Sequence, residues 1–341
     1  MNNFNEYKQQ FFIACQKKGL TEDFYFRCIA YAQRLSNKSL PIIYDYKHLS
    51  LLVGYDVYYL FAVSNASSKF YTHFSIDKKN GGKRNISAPY PSLLEIQRWI
   101  LDNILEKLPV SIYAKAYRKG FSILDNARFH RKQKKVLHLD IKDFFPSIKT
   151  VSVYNIFRNA GYSKSLARLF SGICTLNGAL PQGAPTSPAL SNIFFYPIDA
   201  RIGGYIRRRG IRYSRYADDM TFSGDLNIKE IIHFIEKLLS EYNLQINKNK
   251  TSIMRQENRQ VVTGIVTNKT LNSPKNITRE LIQCAYYINK YGLYEHMKHK
   301  NITDYNYIYK LLGKAYHIKF INPKTYKIDW IISVLKNYIC K

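Results

Sequence analysis

Residues 212–224 read Arg-Tyr-Ser-Arg-Tyr-Ala-Asp-Asp-Met-Thr-Phe-Ser-Gly. Tyr213 and Tyr216 precede two adjacent carboxylates, Asp218 and Asp219, and Met220 and Phe222 follow them. The alternation of polar and β-favouring side chains predicts two short strands joined by a tight turn, with the acids at its tip. Asp is common in turns, so an acidic pair alone reads as a solvated turn. This pair has a distant partner. Val136-Leu137-His138-Leu139-Asp140 is an apolar run that predicts another strand, ending in a third carboxylate. Asp140 by itself would read as a cap or turn acid. Three carboxylates gathered at strand ends make a hard, oxygen-rich site suited to Mg²⁺. Successive strand side chains point to opposite faces, so Asp218 and Asp219 differ, and Asp218 is the stronger candidate ligand.

Composition narrows the partner. The 341 residues suffice for two or three domains. Lys and Arg number 52 against 24 Asp and Glu, a net charge of +28 that calls for a polyanion. At 46% hydrophobic the chain is too apolar to be a disordered basic tail. Its 29 tyrosines, interleaved with lysines, suit a surface that stacks bases and neutralises phosphates. A genome rich in Lys and Asn codons would enrich the same residues, and both causes contribute. Five widely spaced cysteines, none in Cys-x-x-Cys spacing, argue against a zinc site or a disulfide framework and suit a reducing cytoplasm. No apolar run approaches the roughly 20 residues that span a bilayer, so no membrane partner is expected.

Along the chain, residues 1–65 read as mostly helical and carry no chemical motif. Residues 70–90 predict a hairpin with Asp77-Lys78-Lys79-Asn80-Gly81-Gly82-Lys83-Arg84 as its tip, where Asn-Gly and Gly-Gly favour a tight reversal. Ser92 and Glu95 predict a capping box opening a helix. Further helices are expected near 150–172 and 188–207, and after Asn227, where Ile228, Ile231, Ile232, Ile235, Leu238 and Leu239 recur at helical spacing. Strands are expected near 244–254 and 260–267, then a basic, Tyr-rich helical segment. The order is that of an α+β fold, an antiparallel sheet plus helices.

Taken together, these segments resemble reverse transcriptases. Tyr216-Ala217-Asp218-Asp219 is similar to the family's catalytic signature. Asp140-Ile141-Lys142-Asp143-Phe144-Phe145 resembles its first metal-binding motif, and Leu180-Pro181-Gln182-Gly183-Ala184-Pro185 the motif beside the incoming nucleotide. The resemblance implies a right-hand polymerase: an N-terminal helical region at 1–65, fingers and palm at 66–267, and a small helical, RNA-binding thumb at 268–341. It implies two Mg²⁺ ions held by Asp140, Asp218, Asp219 and the carbonyl of Ile141. The triphosphate of a dNTP would meet Lys78, Lys83 and Arg84 and the amides near Asp143 and Phe144. Phe145 would exclude a 2′-hydroxyl, Gln182 would line the nucleotide pocket, and Lys250 would be the general acid.

Two further segments narrow the resemblance to the retron enzymes. Asn126-Ala127-Arg128-Phe129-His130 fits Asn-Ala-x-x-His, and Val262-Thr263-Gly264 fits Val-Thr-Gly. By resemblance Asn126, Ala127, His130, Val262, Thr263 and Gly264 would bind RNA or primer. Such an enzyme copies a cognate structured non-coding RNA from the 2′-hydroxyl of an internal guanosine, leaves branched msDNA, and acts with a separate effector protein against phage. Ordinary readings stand beside these: His130 as a helix-end histidine, Asn126 as a cap, Thr263-Gly264 as a strand irregularity. Other bacterial reverse transcriptases, and a non-catalytic RNA-binding scaffold or antitoxin, remain open alternatives.

Overall fold

A computed structural model describes residues 4–77 and 81–339. Lys78, expected at the triphosphate, lies outside the described residues, as do Lys79 and Asn80 at the hairpin tip. Four helices come first: α1 (Phe4–Lys17), α2 (Glu22–Ser36), α3 (Tyr46–Val53) and α4 (Val57–Asn65). Strands β1 (Tyr71–Asp77) and β2 (Lys83–Pro89) form the expected antiparallel hairpin, followed by α5 (Pro91–Asn103) and α6 (Ile123–Phe129). Next come β3 (Lys135–Asp140), α7 (Phe144–Ser147), α8 (Thr150–Ala160), α9 (Lys164–Cys174), α10 (Thr186–Phe194) and α11 (Tyr196–Arg207). Then follow β4 (Arg212–Tyr216), β5 (Asp219–Gly224), α12 (Ile228–Ser240), β6 (Ser252–Arg255), β7 (Val261–Val262) and β8 (Ile265–Val266). The chain ends in α13 (Lys275–Tyr291), α14 (Leu293–His299), α15 (Tyr307–Ile321) and α16 (Ile328–Lys336). No described helix is long and apolar enough to cross a membrane.

These elements form two compact units of interleaved segments. One comprises 1–117, 141–202 and 236–246; the other 118–140, 203–235 and 247–341. In the first, α4 packs on α9 and α9 on α8. The second holds a four-stranded antiparallel sheet in the order β4–β5–β3–β6. Its α13, α15 and α16 enclose a core of Leu281, Ala285, Ile288, Leu311, Ile318 and Leu335.

Several boundaries depart from the sequence reading for local reasons. Helix α5 starts at Pro91, which tolerates the first helical position because it has no N–H to leave unpaired. No capping box forms. The Ser92 hydroxyl meets Tyr59, and Glu95 accepts from the Tyr55 hydroxyl at 2.5 Å. The helix expected at 150–172 is two, because Ser163 caps α9 by accepting from Leu166 N–H. The helix expected at 188–207 is also two, with Pro197 just inside the second. The strand expected over 244–254 shrinks to β6, and residues 248–250 form a 3₁₀ turn. The strand expected over 260–267 folds back as the hairpin β7–β8.

Candidate active site

Strands β3 and β5 pair so that Asp140 stands opposite Asp219. Strands β4 and β5 join through the two-residue loop Ala217-Asp218, with Tyr216 paired to Asp219. The sequence pattern therefore becomes a cluster in which one oxygen from each of Asp140, Asp218 and Asp219 lies within 4.8 Å of the others. Asp140 is only 3% exposed. Two carboxylates at that distance repel by about 3 kcal/mol at an effective dielectric near 20. Asp218 records the strain: burial, then the charges of Asp219 and Asp140, push its carboxyl up to about 6.

Two side chains soften the repulsion. Lys250 Nζ sits 2.8 Å from Asp140 Oδ2, and this hydrogen bond raises the lysine pKa, holding its proton firmly. His138 Nε2 lies 3.3 Å from Asp219 Oδ1. Burial works to lower the histidine's pKa, but the bond to Asp219 and the nearby charges of Asp140 and Asp218 raise it on balance. His138 was not singled out from the sequence, although the signal was there: it precedes Asp140 by two residues on one strand and so shares its face. Lys250 is placed by the 3₁₀ turn, next to Asn247, whose N–H donates to the Asp140 carbonyl at 2.7 Å.

The loop carrying Asp218 is strained and braced. Ala217 has φ +59, a left-handed conformation uncommon for a residue with a side chain. Arg215 is fully buried and donates from Nη1 to the Ala217 carbonyl at 3.2 Å. A buried guanidinium is costly unless its N–H groups are satisfied, so its place behind the loop identifies a structural brace that the strand pattern did not predict.

The expected nucleotide-side residues fall in the other unit. Ile141 is buried and bridges Ile246. Asp143 is exposed with φ +48 and precedes α7. Phe144 is buried against Phe195, whereas Phe145 is half-buried, its ring 6.4 Å from that of Tyr117. Lys83 and Arg84 are exposed on β2, opposite Asp77 and Ile76. Gln182 is fixed to the same strand, its carbonyl accepting from Ser87 N–H at 2.7 Å. Gly183 next to it has φ +125, and a Cβ there would meet the Ser87 carbonyl at 2.5 Å, so only glycine lets the loop seat this closely.

The two segments expected to touch RNA are placed differently. Asn126, Ala127 and His130 are fully buried. Ser214 Oγ donates to Asn126 Oδ1 at 2.5 Å. It therefore accepts from His130 Nε2–H at 2.7 Å, which leaves His130 Nδ1 to accept from Ser223 Oγ at 2.7 Å. These side chains have no surface to offer RNA; they join α6 to β4 and β5. Val262 is likewise buried. Thr263 and Gly264 are the loop of the β7–β8 hairpin, with φ +46 and +81, the pattern of a two-residue hairpin turn. Thr263 Oγ1 donates to the Ile123 carbonyl at 3.2 Å, again anchoring α6.

Three converging carboxylates are a donor set that fits a hard divalent cation. A family model described as reverse transcriptase (RNA-dependent DNA polymerase) matches residues 76–280. The chain is 34% identical over 241 residues to the retron Ec86 reverse transcriptase of Escherichia coli, covering 69% of this chain and 75% of that protein. It is 31% identical over 271 residues to the retron Mx162 reverse transcriptase of Myxococcus xanthus, covering 69% of this chain and 56% of that protein. A structure of apo telomerase from Candida tropicalis aligns over 79% of this chain and 65% of that one, with a TM-score of 0.44 and 10% identity.

Proposed function

This chain belongs to the reverse transcriptases of retron type, RNA-directed DNA polymerases, and from that premise we propose that it copies a cognate structured non-coding RNA into branched msDNA. Synthesis would start from the 2′-hydroxyl of an internal guanosine and continue from ordinary 3′-hydroxyls, in the cytoplasm, alongside a separate effector in anti-phage defence. The observation that carries the polymerase reading is the carboxylate cluster of Asp140, Asp218 and Asp219, intact and drawn within 4.8 Å. An idle scaffold would have no use for so repulsive an arrangement.

The division of labour follows from the residues. Asp140, Asp218, Asp219 and the Ile141 carbonyl would hold two Mg²⁺ ions, which when bound supply activation of the attacking hydroxyl and stabilisation of the leaving pyrophosphate. Arg84, with its planar fork, and Lys83 would bind triphosphate oxygens. The amides of Asp143 and Phe144 would join them. Phe145, half-buried with its ring 6.4 Å from that of Tyr117, would wall off the sugar's 2′ position. The loop of Gln182, locked to β2, would hold the nucleotide's place. Lys250 Nζ, protonated, would give its proton to pyrophosphate. His138 orients Asp219 and Arg215 sets the loop of Asp218.

The test is the nucleic acid that copurifies with protein co-expressed with its flanking locus. Discrete single-stranded DNA that shifts in size on treatment with debranching enzyme is the expected result. RNA without attached DNA would overturn 2′-primed synthesis. A D218N protein should hold RNA and make no DNA.

A further inference from the structure

Helix α13 carries Lys275, Arg279, Gln283 and Tyr286 at spacings of four, four and three residues. That spacing aligns them along one face over about 16 Å. Two cavities open on this stripe. One, of about 680 Å³, is lined by Lys275 and Arg279 together with Arg259 and Lys324. The other, of about 390 Å³, takes Arg279 again, with Tyr286, Tyr287 and Trp330. Arg279 belongs to both, and the consecutive Tyr326 and Lys327 line one each.

The charges are placed unusually. Lysines on α15 are paired: Lys310 with Asp304, Lys314 with Glu280, Lys319 with Asp329. Among the described residues no ion pair engages Arg259, Lys275, Arg279 or Lys324. Glu257 lines the same cavity and pairs with none of them. Four cations around one recess repel each other, and a polyanion relieves that repulsion. The adjoining cavity adds Tyr286, Tyr287 and Trp330 to the cations Arg279 and Lys327, with the Lys327 ammonium 5.6 Å from the Trp330 ring. Phosphate-binding cations running into an aromatic recess match a nucleotide strand, and the recess admits a base only if that base is not stacked in a duplex.

We propose that this face of α13 binds an unpaired stretch of RNA, with phosphates in the basic cavity and a base stacked against Tyr286 and Trp330. The proposal rests on the RNA-copying reading above and names a site through which that RNA is held.

The chain has two tryptophans, so a full-length W99F protein reports from Trp330 alone. A short single-stranded RNA should quench this emission saturably, and a blunt RNA duplex should not. Y286A in that background should weaken single-strand binding about tenfold with an unchanged salt slope. R279Q should lower the slope of log K against log salt by about 0.7 for the lost phosphate contact. Equal quenching by duplex overturns the unpaired-base assignment. Quenching by adenosine monophosphate as tight as by the oligomer overturns the strand and assigns the recess to a free nucleotide. If the wild type binds RNA in a salt-dependent way while emission and both variants stay unchanged, this site falls and the polymerase reading stands. If the wild type binds no RNA, both fall.

Discussion

Replacing Asp218 with Asn should stabilise the metal-free protein while abolishing DNA synthesis. Burial and the neighbouring Asp219 and Asp140 lift the Asp218 carboxyl from 3.8 to about 6. A rise of that size corresponds to about 3 kcal/mol of unfavourable interaction with the charged form. The Asn amide must still be buried, so the net gain is set at about 2 kcal/mol, a few degrees in melting temperature for a chain of this size. The pH dependence has a definite sign. Below about 3.8 the group is protonated folded and unfolded, and the wild type suffers no penalty. Between 3.8 and 6 the folded state keeps a proton that the unfolded state has released, so wild-type stability falls as pH rises. Above about 6 the penalty is complete. Thermal melts in EDTA should therefore show D218N above wild type at about pH 7.5, with the gap closing toward about pH 4. Added Mg²⁺ should raise the wild-type melt and leave D218N nearly unmoved. A D218N protein that melts below wild type near neutral pH, or whose advantage grows on acidification, would refute the electrostatic account of the cluster.

Phe145→Ala should lower the preference for dNTPs over rNTPs by about 10- to 100-fold, the span that one pocket contact supplies, read as the ratio of kcat/KM values; unchanged rejection of ribonucleotides removes Phe145 from the sugar pocket. Gly183→Ala adds a Cβ 2.5 Å from the Ser87 carbonyl at φ +125, and urea unfolding should show a loss of about 2 kcal/mol or more, with raised KM for dNTP. His130→Ala strands the hydroxyl of Ser223, removes the donor to Ser214 Oγ (which keeps its bond to Asn126) and opens a cavity, so it should cost about 2–4 kcal/mol of stability. Below its melting temperature the same variant should bind RNA with wild-type salt dependence, and a weakened slope would restore a direct contact for His130.

The carboxylate cluster was legible because its parts obey local rules. Period-2 alternation around Asp218 and Asp219 and the apolar run into Asp140 each predict a strand, and antiparallel register then puts Asp140 opposite Asp219. The same rule held the clue to His138, two residues before Asp140 on its face. What the sequence could not display was packing. His130 and Asn126 look like helix-end polar residues, and only the fold shows their atoms facing Ser214 and Ser223 across some 90 residues of chain. Thr263 and Gly264 looked like part of one strand, because the residues flanking them are β-formers; two consecutive positive φ angles make them a turn instead. The capping box at Ser92 failed for a different reason: Pro91 claimed the first helical position, and both side chains found tyrosines. Arg215 escaped notice because a strand arginine ordinarily faces water, and this one is buried.

The segments 126–130 and 262–264 are tied together at α6 inside the protein. Asn126 and His130 fasten it to Ser214 on β4 and Ser223 on β5, the strands whose connecting loop carries Asp218. Thr263 fastens its first turn at the Ile123 carbonyl. Between these ties, Ala127 packs with Val136 of β3, Val262 and Ile265 of the second hairpin, and Ile321 of α15. Ala127 is fully buried, so a larger side chain would have to part α6 from at least one of these partners. A close-packed interior transmits such a displacement with little loss. The position of the Asp218 loop is thus set partly by a helix that also seats the C-terminal bundle through Ile321. On this account the buried Asn126, Ala127, His130 and Val262 help to fix where the carboxylates stand relative to one another.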